Sequence, residues 1–533
     1  MANKLAPHRP GQALSLADFS PRPGAQQQRV GPSLIADPLR PQAHRRSYAA
    51  AQVNRLTEGW ATTSLSANAD IHASIDSLRA RSRQLARDDP YAAKFLKLVG
   101  TNIVGAQGFQ LQARVYDPSG NPDSGANSAV ESAWKRWSGR SSGRSMCDAS
   151  GRQSLRDLLR TAILTAARDG EGLLRFVRGA DAGNDFGLAL QLLDVDRVDT
   201  TLNRTAELGY GQIRMGVEVS VYGRPLALWL RRRHPGEMYQ AGADLRGNSH
   251  LRVPAEDLVH FYIADRPEQF RGVPWMHAAM LRLNNLGGYE EAAIVASRIG
   301  ASKMGFFSGP DGTDAMTLAD SDSNGDGSGQ LYTEAEAGSF GTLPPGTSFT
   351  PFNPDYPTAM FADFCKANLR GIASGLGVAY HALANDLEGV NFSSIRSGTL
   401  EERDNWMMIQ EWFIESVLEP IYAEWIGSAL AFGQITLANG SPLPLTKRDK
   451  FAGHLWQGRR WEWVDPVRDI EADIMAIDAG LQSPQGVSAK LGRDYEDLLD
   501  ALAEADRLRA AAGLAPRQPK QARPGAAQAP APA

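Results

Sequence analysis

One stretch of the sequence has the residue types of an ion site. The run Asp320-Ser321-Asp322-Ser323-Asn324-Gly325-Asp326-Gly327 puts Asp320, Asp322, Asn324 and Gly325 at positions one, three, five and six of a calcium loop. Those are positions where oxygen ligands and a turn-forming glycine belong. The twelfth position must supply a bidentate glutamate, and here it is Leu331, or Thr333 if the frame starts at Asp322. No strong helical pattern flanks the run, so it reads as a polar loop. The other chemistry-bearing residues are scattered. Cys147 and Cys365 have no obvious base beside them, and the nine histidines include no helical i, i+4 pair. His260 lies in the apolar run Leu258-Val259-His260-Phe261-Tyr262 and reads as a hydrogen-bonded strand residue. The carboxylate pairs Asp88-Asp89, Glu290-Glu291 and Glu401-Glu402 are adjacent in sequence. On a helix such neighbours point in different directions and share no site. A phosphate loop, an H-E-x-x-H zinc motif, a nucleophile elbow and a dinucleotide fingerprint are all missing. The expectation is a binding or structural protein with no catalytic residue, no cofactor and no metal.

Composition agrees with that reading. The chain has 533 residues, 42% hydrophobic and 22% charged, with a formal net charge of −4. That length permits several domains. Tight DNA binding draws its affinity from phosphate neutralisation by an excess of Lys and Arg, and this balance lacks one. Two distant cysteines exclude a disulfide framework and fit a reducing compartment. No apolar run is long enough to span a bilayer. The first residues are rich in Pro, Arg and Gln without an apolar segment, so no secretory signal is expected.

The elements that would position any site alternate in texture. Residues 1–50 carry repeated prolines and no apolar periodicity, which predicts a disordered arm. The arm is basic, with Lys4, Arg9, Arg22, Arg29, Arg40, Arg45 and Arg46 against Asp18 and Asp37. Asp88-Asp89-Pro90 predicts a helix start, with Phe95, Leu98, Val99 and Ile103 at helical spacing and Gly105 as a stop. A second helix is expected over 152–168. Between 172 and 263 short apolar runs alternate with turns, which predicts a small antiparallel β domain. Helical texture returns over 274–302, dense in small residues at Ala292, Ala293, Ala296, Gly300 and Ala301. Strands and loops follow over 303–357, then a helix over 358–378 and a loop over 380–394. A long helix over 394–430 should span roughly 55 Å and bend at Pro420, which removes a backbone donor. Helices over 468–511 and an Ala/Pro/Gln-rich tail over 513–533 complete the chain.

Several local motifs resemble, in order, those of the lambda family of tailed-phage portal proteins. They include Asp88-Asp89-Pro90-Tyr91, Cys147-Asp148-Ala149-Ser150-Gly151-Arg152, Asp169-Gly170-Glu171 and Arg252-Val253-Pro254-Ala255-Glu256-Asp257. The most specific are Gln269-Phe270-Arg271-Gly272-Val273-Pro274, Leu343-Pro344-Pro345-Gly346, Asn391-Phe392-Ser393-Ser394-Ile395-Arg396 and Trp461-Glu462-Trp463-Val464-Asp465-Pro466. The resemblance runs over about 70–505. The chain departs from it at Ala106, where Gly is frequent, and at Phe392, where Tyr is usual.

The resemblance implies an α+β portal fold. Its wing would cover 51–273, a first stem helix 274–302, a small α/β clip 303–357 and a second stem helix 358–379. A tunnel loop would follow at 380–394, then a long kinked helix with returning wing segments over 395–466 and a helical crown over 467–512. It implies a dodecameric ring that passes double-stranded DNA. Large terminase would dock on it, then head-completion and tail connector proteins, with the major capsid protein and scaffold as further partners and no membrane. The expected location is the portal vertex of the virion, after assembly in the bacterial cytoplasm. Asp386, Glu388, Asn391, Phe392, Ser393, Ser394 and Arg396 would line the channel, the two carboxylates repelling the DNA backbone. Leu283, Leu286, Ala293, Ala296 and Gly300 would meet neighbouring copies. A closed ring of this kind uses two different patches on each subunit.

Overall fold

A computed structural model describes residues 59–141, 143–206, 211–237, 250–301, 305–308, 348–351, 360–388, 392–461, 466–490 and 495–514, together with Arg55. The calcium-like run, Asn391 and almost all of the basic arm, the clip and the tail lie outside the described residues. The chain divides into two compact units, Met1–Ser64 and Leu65–Ala533, and the second carries the elements below.

Its first helix, Ala67–Asp88, is opened by Ser66, whose side chain accepts from the Ala69 amide. One residue then closes this helix and opens the next. The Asp89 amide donates to Leu85 O, while its carboxylate accepts from the Ala92 amide at 2.7 Å and Pro90 begins the helix Pro90–Ile103. An N-cap of this type contributes about 1 kcal/mol. Asp123 caps Ser124–Ser138, and Ser154 caps Leu155–Asp169, which ends at Gly170 with φ +93°.

The β domain expected over 172–263 is two sheets instead of one. Glu171–Arg178 is the middle strand of an antiparallel three-stranded sheet, flanked by Leu258–Tyr262 and Leu188–Leu193. Gln212–Arg214, Val217–Val219, Pro225–Arg231 and His250–Pro254 form a four-stranded antiparallel sheet in that order. The split follows from burial on both faces of the middle strand. Leu173 points into a cluster with Leu193, Val195, Leu228, Leu230 and Val253, whereas Leu174 and Phe176 join the large helical core. The three-stranded sheet is therefore the layer between the four-stranded sheet and the helices.

Aromatic residues from distant segments close the helical core. The Trp134 ring stands edge-on to Trp425 at 4.9 Å and to Trp456 at 5.4 Å, and the Trp137 indole donates to Leu188 O at 2.9 Å. Trp456 arrives on His454–Gln457, which pairs antiparallel with Gln110–Ala113. Gly305–Ser308 pairs with Ser348–Pro351. The long helix runs as Phe392–Phe413, one π-helical segment Ile414–Leu418, and Glu419–Ala431. Pro420 explains the wide turn: it has no amide to give Ser416, and the Glu419 amide before it donates five residues back, to Ile414 O. The chain then forms helices Pro466–Asp478, Pro484–Lys490 and Tyr495–Ala511. Among the described residues no helix is long and apolar enough to cross a membrane.

Candidate functional site

The helix expected from 274 begins at Met280, because 275–279 are a series of turns anchored to the preceding layer. The Trp275 amide donates to Ala167 O at 3.0 Å, and upstream of it lies a buried ionic joint. Glu171 and Arg271 are fully buried and Arg79 is 2% exposed. Arg271 donates to Glu171 Oε1 through Nη2 at 2.5 Å, with Nε 2.9 and 3.0 Å from the two oxygens. Arg79 also donates to Oε1, the Gly272 amide donates to Oε2 at 3.0 Å, and His260 Nε2 lies 2.9 Å from Oε2. Burial alone would raise the carboxyl's pKa; Arg271, Arg79 and His260 outweigh it and hold Glu171 well below the usual carboxylate range. The network continues through Asp169, which takes Arg83 at 2.8 Å and Arg168 at 2.9 Å, and through Arg83 to Asp194 and Asp196. Four arginines thus meet four carboxylates.

Backbone shape makes this joint possible. A Cβ on Gly272 would overlap Gly170 O, and one on Gly170 would overlap the Val273 carbonyl carbon. Asp169-Gly170-Glu171 and Gln269–Pro274, two separate motifs in the sequence, are therefore the two halves of one contact. Glu171 has no open position for a substrate. What the joint can do is fix where the helix Met280–Ala301 leaves the sheet layer. The sequence reading placed His260 correctly as a hydrogen-bonded strand residue but missed Glu171, Arg79 and Arg271 as its partners.

The helix Met280–Ala301 corrects the expected subunit contacts. Leu283 is fully buried, and Leu286 and Ala293 are 3% exposed within this one chain, so they are protomer core with no surface to offer a neighbour. They face the first helix and Phe361–Leu376, where Tyr289 packs against Phe361 and Phe364 at 5.5 and 4.8 Å. Ala296 is half-buried, and the surroundings of Gly300 lie outside the described residues. The open apolar residues are Leu281, Ile294 and Val295, at 73%, 61% and 46% exposure. Ile294 and Val295 border a groove of about 500 Å³ between this helix and the Leu85–Pro90 corner.

The expected channel loop is shorter than fifteen residues. A helical turn, Tyr380–Ala384, occupies its start, Asn385 turns the chain at φ +53°, and the long helix already begins at Phe392. Asp386 accepts from the Tyr380 hydroxyl at 2.7 Å and from the Glu388 amide at 2.9 Å, which together hold its carboxyl below the ordinary value. Lys366 Nζ donates to Glu388 at 3.0 Å and stands 3.8 Å from Asp386. The two carboxylates come together as expected, but a lysine from the preceding helix offsets their charge. Phe392, Ser393, Ser394 and Arg396 fall in the first turns of the long helix, where the backbone alone is described.

Among the described residues, Asp194, Asp196 and His234 bring possible metal-ligand atoms within 4.8 Å of one another. Arg83 already sits 3.1 Å from Asp194 and 2.5 Å from Asp196, so a guanidinium fills the place a cation would take.

A family model described as phage portal protein, lambda family, matches residues 53–410. The probable portal protein of Halomonas phage phiHAP-1 is 33% identical, over 93% of this chain and 91% of its own length. Portal protein B of Escherichia phage lambda is 22% identical, over 86% of this chain and 88% of its own. Among solved structures, the neck of an empty GTA particle is similar at a TM-score of 0.39 and 14% identity, covering 79% of this chain and 93% of that one.

Proposed function

The chain belongs to the lambda family of phage portal proteins, and from that premise we propose that its copies close into a dodecameric ring at one capsid vertex. Double-stranded DNA passes through that ring during packaging and ejection. The observation that carries the reading is family membership over most of the chain, joined to the open apolar face of Met280–Ala301, which one protomer leaves uncovered. Exposed side chains of this size at helical spacing are expected where identical subunits meet.

The role is structural, not enzymatic. Force for packaging comes from a docked large terminase, and the same end later receives head-completion and tail connector proteins. The capsid shell and scaffold surround the ring, which is assembled in the bacterial cytoplasm and retained in the virion. Asp386 and Glu388 face the channel, where their pairing with Lys366 leaves a near-neutral surface that neither grips nor strongly repels phosphate. Leu281, Ile294 and Val295 take the place of Leu283, Leu286 and Ala293 at the subunit contact, with Ala296 and Gly300 kept from the sequence reading. Electron microscopy of the purified full chain, with mass measurement, tests the proposal. Rings with a central channel are expected; a chain that stays monomeric across salt and concentration overturns it.

A further inference from the structure

The groove between the Leu85–Pro90 corner and Met280–Ala301 has features that the chain's own packing does not account for. Asn284, Gly287, Gly288, Glu291, Ile294, Val295 and Arg298 line it at steps of three and four, the spacing of one straight helix seam. Gly287 and Gly288 are adjacent in the helix interior, where glycine is unfavourable relative to alanine. A Cβ at either position would meet no atom of this chain within 4 Å. Packing inside the protomer therefore gives no reason for two glycines here, while Ile294 and Val295 beside them stay exposed. The groove is also acidic: Asp88, Asp89, Glu290 and Glu291 line it against Arg298.

The complementary surface lies on the same chain. The outer side of Phe361–Leu376 exposes Met360 and Phe364, at 72% and 49%, and carries Lys366 and Arg370 against Asp363. Arg282 reaches the same edge, its Nη1 lying where a Cβ on Gly371 would be. One edge of this helical layer is thus apolar and basic, and the groove near its other edge is apolar and acidic.

We infer that the Phe361–Leu376 edge of one copy seats in the Gly287–Gly288 groove of a second copy, with Arg370 against the Glu290-Glu291 side. This rests on the ring reading and specifies how its two unlike patches meet. The glycines admit the partner's helix at close range, and charge selects its direction.

Two sets of full-chain variants test the inference, each read for assembly by mass photometry and for melting. Gly287→Ala with Gly288→Ala should raise the protomer's melting temperature by about 2 °C through helix propensity. The same pair should raise the concentration for half-assembly at least about tenfold through overpacking. Glu291→Arg alone and Arg370→Glu alone should each weaken assembly by a similar factor, and an equimolar mixture or the double variant should regain part of it. Rings that form equally well with every variant overturn this interface and leave the ring reading standing. A wild-type chain that never assembles overturns both.

Discussion

The Glu171 joint and the Gly287–Gly288 groove sit at the two ends of one connection, and they are built on opposite terms. At the joint every group has its reason inside the chain. Arginines match carboxylates, glycines are required by a backbone contact, and nothing is open. At the groove the residues have no such reason: the glycines face empty space and the large apolar side chains face solvent. The difference separates what a protomer needs to fold from what it holds for another molecule. Substitutions should sort accordingly, with the joint governing stability and the groove governing association.

The sharpest way to break this contrast is Glu171→Gln. Removing one partner of a buried ionic network leaves Arg79 and Arg271 uncompensated, which destabilises by about 3–5 kcal/mol. Urea unfolding of the protomer should show that loss, and one below about 1 kcal/mol would mean that the joint is dispensable.

Acid should erode the same half of the molecule. Burial favours the neutral form of Asp199, but Thr201, His250 and Arg231 outweigh it and hold its pKa down to about 2. A depressed carboxylate stabilises the fold fully above its unfolded pKa of about 3.9, and that stability is lost as pH falls through about 2. Asp199→Asn should therefore be less stable at neutral pH and lose stability less steeply between pH 4 and 2. Parallel pH profiles of the two proteins would remove the argument.

The smallest protomer effect is expected at the groove. Ile294→Ser should change unfolding free energy by no more than about 0.5 kcal/mol while weakening association. A large drop in protomer stability would show that this side chain belongs to the core after all.

The same contrast explains what the sequence made legible. Asp89-Pro90 announced its helix because capping is local chemistry, and the period-two run around His260 announced its strand. The helix Ala67–Asp88 passed unseen because its buried face, Ile71, Ile75, Arg79 and Ser82, has helical spacing but puts an arginine and a serine where an apolar pattern is sought. Ser124–Ser138 could have been found from Asp123 followed by Ala126, Val130, Trp134 and Trp137. Helical texture at 280–301 was legible, but apolar residues surround that helix and the sequence cannot say which of them its own chain covers. Leu283 and Ile294 look alike until the fold separates them. The ionic joint joins residues about ninety positions apart in sequence, and no periodicity carries that information.

The π-helical turn at Ile414–Leu418 has a consequence in phase. Buried pairs recur along the long helix at 413/414, 417/418, 421/422, 425/426 and 429/430, a period of four. An α-helix advances about 100° per residue, so a four-residue period drifts about 40° at each step, close to half a revolution over the whole stripe. The wide turn absorbs part of that drift and leaves the rest as a winding stripe. One helix can therefore set Phe413 against Phe261 on the three-stranded sheet and, further along, Trp425 against Trp134 and Trp137. A straight α-helical rod with a strict core face would have had to choose between them.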